Sequence, residues 1–193
     1  LSLCNKNMVK MDTNNDSKAK HDLLLDVCYA AKYEGESIKA HYPKYDAEYS
    51  SGSGSDFPMC TMLARSFADI GDIIRGKDLY RGNKKKNKTE TERDKLDKNL
   101  KKIFGKIHNG LDGEAKKHYG SDGNFFKLRE DWWEANRETV WKAITCSNEL
   151  KDNRYFRQTC GDNENTTIRT PSHCRCRDNQ VPTYFDYVPQ YLR

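Results

Sequence analysis

Four stretches of the chain carry apolar residues at three- and four-residue spacing, and no stretch alternates convincingly at period two. In residues 22–40, Leu24, Val27, Cys28, Ala31 and Ile38 fall near one helical face, and Pro43 is expected to end that helix. In residues 60–74, Met62, Leu63, Phe67, Ile70 and Ile74 make the second stripe. Gly71 sits inside it at a cost of about 1 kcal/mol relative to Ala, which calls for a close packing contact. Residues 91–109 form the clearest amphipathic helix, with Leu96, Leu100, Ile103, Phe104 and Ile107 inward and Lys95, Lys98, Lys102 and Lys106 flanking. Residues 124–146 form the last strong helix. Its inward set is Phe125, Leu128, Trp132, Ala135, Val140, Ala143 and Ile144; Trp133 and Trp141 widen the apolar face, and Ser121 or Asp122 is placed to cap it.

The connections read differently. Residues 5–21 are polar, a loop or short helix. SSGSGSD at 50–56 is a flexible segment and the best lobe boundary, NKKKNKTE at 83–90 is a solvated charge run, and residues 110–123 carry four Gly and read as a loop. Beyond Cys146 the periodicity fades into polar, cysteine-bearing chain. The class is therefore all-α, with long helices and disulfide-pinned loops.

Composition narrows this further. Charged residues make up 33% of the 193, mean hydropathy is −1.02, and no 18-residue apolar run exists, so no membrane insertion is expected in this segment. Aromatic content of 11% argues against wholesale disorder. The seven cysteines, Cys4, Cys28, Cys60, Cys146, Cys160, Cys174 and Cys176, contain no CxxC pair and suit disulfides in an exported protein. The helix ends suggest Cys60 with Cys146 and Cys4 with Cys28, although the spacing leaves other connectivities open. One of Cys160, Cys174 and Cys176 would then look outside the chain. The opening Leu1-Ser2-Leu3 and the stop at Arg193 inside an aromatic run give that oddness a reason: they suggest a segment of a larger protein. His173, Cys174, Cys176 and Cys160 match no usual zinc spacing, so no metal is expected.

Charge is concentrated. Residues 75–106 hold thirteen Lys/Arg and five Asp/Glu, a net of +8, in a chain whose total is +5. Such a field attracts polyanions and is screened by salt; the plainer reading is a solvated helix face. No nucleic-acid motif accompanies it, and the aromatics fall in hydrophobic helices and not among the lysines, so no nucleic-acid partner is expected. The five His fit no HExxH, and GxSxG and phosphate-loop patterns are absent. Asp69 with Asp72, and Glu130 with Asp131 and Glu134, are carboxylate groups that Arg65, Arg75, Arg129 and Arg137 can pair. No catalytic residue and no cofactor is expected.

Three long motifs carry a resemblance. They are CTMLARSFADIGDIIRGKDLY from Cys60, DWWEANRETVWKAITC from Asp131, and CRCR at Cys174 leading to VPTYFDYVPQYLR from Val181. Leu3-Cys4-Asn5 and VCYAAKYEG from Val27 agree with them. Together they resemble the Duffy-binding-like domain, alpha class, of the variant erythrocyte membrane proteins of Plasmodium falciparum. The resemblance implies a disulfide-braced helical bundle with long loops, divided at 1–59, 60–150 and 151–193 into two subdomains and the start of a third. It implies an adhesion module on the extracellular face of the infected erythrocyte, in a variant antigen associated with rosetting and cytoadhesion. The implied partners are a host cell-surface receptor or a glycosaminoglycan such as heparan sulfate, with complement receptor, blood-group sugar or antibody also within the family's range. Phe67, Ile70, Trp132 and Trp141 then read as core, and Asp69, Asp72 and Arg137 as candidates for buried ion pairs between helices. Lys84, Lys85, Lys86, Lys88, Lys95, Lys98, Lys102 and Lys106 are the candidate polyanion site. The alternative is a scaffold that displays variable loops to protein receptors and antibodies, with no glycan site in this chain.

Overall fold

The computed structural model describes residues 3–4, 6–11, 18–49, 59–78, 91–120, 122–161 and 167–193, with backbone alone for 42–49. The elements in order are α1 (Lys6–Val9), α2 (Ala19–Tyr49), α3 (Met59–Arg75), α4 (Glu92–Asn109), α5 (Gly113–Tyr119) and α6 (Phe126–Ile144). Three short 3-10 turns follow, Asn148–Leu150, Phe185–Tyr187 and Gln190–Leu192. Among the described residues the only β pairings are isolated bridges, Cys160 with Ile168 and Ser172 with Arg175. The proposed boundary at 50–56, the charge run at 83–90 and the candidate cap Ser121 lie outside the described residues.

One core draws on every helix except α5, from Met8 to Val181. Phe67, Ile70, Trp132 and Trp141 are all buried within it. Phe67 stands between two indoles, its centroid 5.1 Å from Trp133 and 5.2 Å from Trp141, and Phe104 meets Trp132 edge-on at 6.1 Å. Such tilted aromatic pairs contribute about 0.5–1.5 kcal/mol each beyond their buried area. Gly71 has the close contact its position called for. A Cβ there would lie 2.8 Å from Trp133 Cε2, so glycine is what lets the indole lie on α3.

Four expectations are corrected. Pro43 does not end α2, which runs on to Tyr49. A proline removes one helical hydrogen bond and crowds one carbonyl, and a long helix already packed against α3, α4 and α6 can absorb that. Residues 110–123 are not all loop: Gly110 and Gly120 close α4 and α5, and Asp112 opens α5 by accepting from Ala115 N–H at 2.8 Å. Their glycines were punctuation between helices. Asp122 does not cap α6; its Oδ1 accepts from Asn124 N–H, and the residue before the helix, Phe125, takes a left-handed φ of 55°. Ala135 faces solvent, and Trp133 fills the core in its place.

Helix α4 keeps its expected register. Thr91 forms a capping box with Asp94, accepting from its N–H at 3.1 Å while Asp94 Oδ2 accepts from Thr91 N–H at 2.9 Å. Helices α2 and α6 are in close backbone contact at Gly35, where a Cβ would stand 2.2 Å from the Ile144 carbonyl oxygen. Helix propensity alone predicts that Gly35→Ala stabilises by about 1 kcal/mol. The close backbone approach reverses the sign, and a loss of about 2–3 kcal/mol is expected by analogy with overpacked cores. A thermal melt of the variant at or above that of the parent would contradict this packing.

Candidate binding surface

Most of the chain's strong polar chemistry holds elements together. The segment after α6 is clamped onto α3 and α6 by Asp186, whose side chain is fully buried. Its carboxylate accepts from Arg137 Nε and NH2 and from Trp133 Nε1, each at 2.9 Å. Its backbone carbonyl accepts from Arg75 NH2. Arg75 also donates to Asp72 and to Glu130 at 3.0 Å, and Arg193 pairs with Asp69 at 2.9 Å and with Asp72. Arg137 lies over the rings of Phe67, Tyr184 and Tyr187. The motif residues Asp69, Asp72 and Arg137 thus do form buried or part-buried pairs, but not with one another. Their long-range partners, Asp186 and Arg193, come from the last ten residues.

Burial pushes the Asp69 and Asp72 carboxyls above their ordinary values, and the nearby Arg193 offsets this only in part. Glu130 moves the other way. Burial raises it, but hydrogen bonds from Lys77 and Arg75 outweigh that and hold it below the ordinary value. Two further arginines close helix ends. Arg129 donates through Nε to the Ile74 carbonyl and through NH2 to that of Ile73, and Arg175 reaches the Lys142 carbonyl and Thr145 Oγ1 at the end of α6. Both complement a helix C-terminus.

The cysteines pair differently from the arrangement suggested by helix ends. Cys60 is bonded to Cys174 and Cys160 to Cys176, while Cys4, Cys28 and Cys146 are free thiols. Cys146 follows α6 on the exposed side, so Cys60, fully buried at the start of α3, meets the returning C-terminal segment instead. Cys4 donates its N–H to Glu34. Cys28 lies six residues before Glu34 on α2, roughly 9 Å along the helix axis from it at 1.5 Å per residue, and stays a free thiol. None of Cys160, Cys174 and Cys176 is left without a partner, contrary to expectation; the three free thiols are Cys4, Cys28 and Cys146. Burial raises the Cys4 thiol, with Glu34 adding to it, and burial raises that of Cys28. With Cys160, Cys174 and Cys176 oxidised, they offer no thiolate to a metal. Among the described residues no group of three or more His, Cys, Asp or Glu is arranged to hold a metal ion.

Of the carboxylates grouped on the last helix, Glu130 is engaged by Arg75 and Lys77, and Glu134 by the Tyr187 hydroxyl. Among the described residues, the solvent side of α4 carries the lysines singled out in the sequence. Lys95, Lys98, Lys102 and Lys106 recur at three and four residues, within roughly 80° of helix circumference at 100° per residue. The first three are exposed and Lys106 is half-buried; Lys98 and Lys106 also engage neighbouring groups. Lys84, Lys85, Lys86 and Lys88 lie outside the described residues. Among the described residues no helix is long and apolar enough to cross a membrane.

Long helices packed around one aromatic core, braced by two disulfides and by arginine clamps, define a rigid all-helical scaffold domain. The model of the Duffy binding domain family matches residues 1–193, and the chain belongs to that family. It is similar to the solved NTS-DBL1α1 domain of PfEMP1 from the Plasmodium falciparum varO strain, at 43% identity and TM-score 0.76, covering 98% of this chain and 39% of that one. The double domain of NTS-DBL1α and CIDRγ from the same strain matches at 41% identity and TM-score 0.76, with 98% and 25% covered. A PfEMP1 DBLβ domain bound to human ICAM-1 matches at 33% identity and TM-score 0.57, with 89% and 30% covered. The chain thus spans about two fifths of the varO domain chain. No match is found among curated proteins.

Proposed function

We propose that this chain is part of an adhesion module of a variant surface antigen, displayed on the outer face of the infected erythrocyte, and that it binds sulfated host glycans through α4. The lysine stripe carries this reading. Lys95, Lys98, Lys102 and Lys106 share one helix face, opposite the stripe of Leu96, Leu100, Ile103, Phe104 and Ile107 that α4 buries. Lys84, Lys85, Lys86 and Lys88 precede α4 in the chain and add to the same charge. A glycosaminoglycan presents a line of sulfates, and a line of cations on a rigid helix can meet several at once without ordering long loops.

Reversing Lys95, Lys98, Lys102 and Lys106 to Glu is expected to lower markedly the salt needed to elute the chain from heparin. The slope of log affinity against log salt should flatten by about one per lost contact, by analogy with phosphate backbones. Equal elution salt for parent and variant, with both folded by circular dichroism, would sink the proposal. A second reading has its own support, since a DBLβ relative is bound to a protein receptor, human ICAM-1. A protein receptor or antibody would contact the loops displayed by the scaffold, and such binding would resist moderate salt and be lost on loop exchange.

A further inference from the structure

A groove of about 440 Å³ runs between the end of α3, the first half of α4 and the start of α6. Its size is that of a small-molecule site, roughly 300–1,000 Å³. Ile73, Leu96, Leu100 and Phe126 contribute apolar walls, and Arg129 lines it as well. Arg129 is 1% exposed. Two of its nitrogens are used on the carbonyls that close α3, but the third, NH1, is buried and has no hydrogen-bond partner among the described residues. The nearest carboxylate, Asp97, stands 3.5 Å away, too far for a good hydrogen bond. Asp97 is also half-exposed and holds Lys101 at 2.9 Å. Gly76 packs closely over the guanidinium, where a side chain would crowd it. With φ +74°, a Cβ there would come within 3.1 Å of Arg129 NH1 and 3.0 Å of Phe126.

A buried, charged donor whose one nearby carboxylate stands too far off for a good hydrogen bond is under-satisfied, so a better-placed acceptor supplied from outside relieves it. We propose that this groove binds a small organic monoanion. Its carboxylate or sulfate oxygen accepts from Arg129 NH1, and its apolar body lies against Leu96, Leu100 and Phe126. Asp97 keeps Lys101 as its partner when the ligand's oxygen takes its place beside NH1. Asp78, Asp94 and Asp97 line the groove beside Arg93, Lys101 and Arg129, so the lining has no net positive charge to hold a compact dianion, which also gains nothing from the apolar walls.

The test is an NMR titration of the 193-residue chain with benzoate, phenyl sulfate, inorganic sulfate and benzyl alcohol, the last being benzoate's uncharged analogue. Benzoate or phenyl sulfate is expected to saturate in the millimolar range appropriate to about ten heavy atoms, shifting the amides of Leu96, Leu100 and Phe126. Inorganic sulfate and benzyl alcohol should bind at least about tenfold more weakly. Arg129→Lys keeps the charge but loses the fork, and should weaken the organic anion by a similar factor. Because Arg129 also closes α3, the exposed-site variant Lys101→Glu is the control for folding. It should melt like the parent and still weaken the anion severalfold, because it adds a negative charge at the groove mouth. Neither organic anion saturating with the parent, benzyl alcohol binding as well as benzoate, or Lys101→Glu leaving affinity unchanged would each overturn the proposal.

Discussion

Asp186→Ala is expected to destabilise the fold by about 3–5 kcal/mol, the range for breaking a buried ion pair from one side. The carboxylate is fully buried and receives three hydrogen bonds, two from Arg137 and one from Trp133. Removing it leaves Arg137 with the Thr183 carbonyl as its remaining acceptor and leaves the Trp133 N–H with none. An uncompensated guanidinium in that position is worse than no ion pair at all. Hence the double variant Arg137→Met/Asp186→Leu should recover part of the loss, and the coupling between the two sites should be well above the roughly 0.5 kcal/mol seen for independent positions. Asp186→Asn retains the shape and one acceptor, and should lose about half as much as Asp186→Ala. Urea unfolding with disulfides intact measures all three. A loss below about 1 kcal/mol for Asp186→Ala would mean that the aromatic rings around Arg137, not the carboxylate, hold the segment.

That clamp marks where the sequence is legible and where it is not. The stripes of α3 and α4 follow from three- and four-residue spacing, because each helix buries one face against a common core. The same rule misplaced Ala135, because on a helix with three tryptophans the larger residue, Trp133, takes the core. Partners distant in the chain leave little local signal. Asp186 is a lone acid among Tyr184, Phe185 and Tyr187, and an isolated charge in an aromatic run is the one cue that it is buried and paired. Arg193, as the last residue, carries no pattern at all, yet it reaches Asp69 and Asp72 on α3. The lysine stripe on α4 was readable because a charged face needs only the helix period. The Arg129 groove was not, since it depends on which of three nitrogens is left over after two cap a different helix.

The largest loss is expected on removing the bond between Cys60 and Cys174. It closes a loop of separation 114, against 16 for Cys160–Cys176. In the chain-entropy model these correspond to about 5 and about 3 kcal/mol of destabilisation of the unfolded state. All four bonded cysteines are buried, so replacing either pair with Ala also leaves packing contacts short, and loop length is what separates the two. Cys60→Ala/Cys174→Ala should therefore unfold at lower urea than Cys160→Ala/Cys176→Ala, with the gap between them about 2 kcal/mol. Cys146→Ser is the informative contrast. Helix ends made Cys146 the natural partner for Cys60, but it is a free thiol on the exposed side of the chain, so its substitution should change stability by less than about 0.5 kcal/mol. A loss with Cys146→Ser comparable to that of Cys60→Ala/Cys174→Ala would overturn the connectivity. An equal loss for the two double variants would instead mean that loop length does not govern their contributions, and that the strengths of the two bridges come from local packing around each pair of sulfurs.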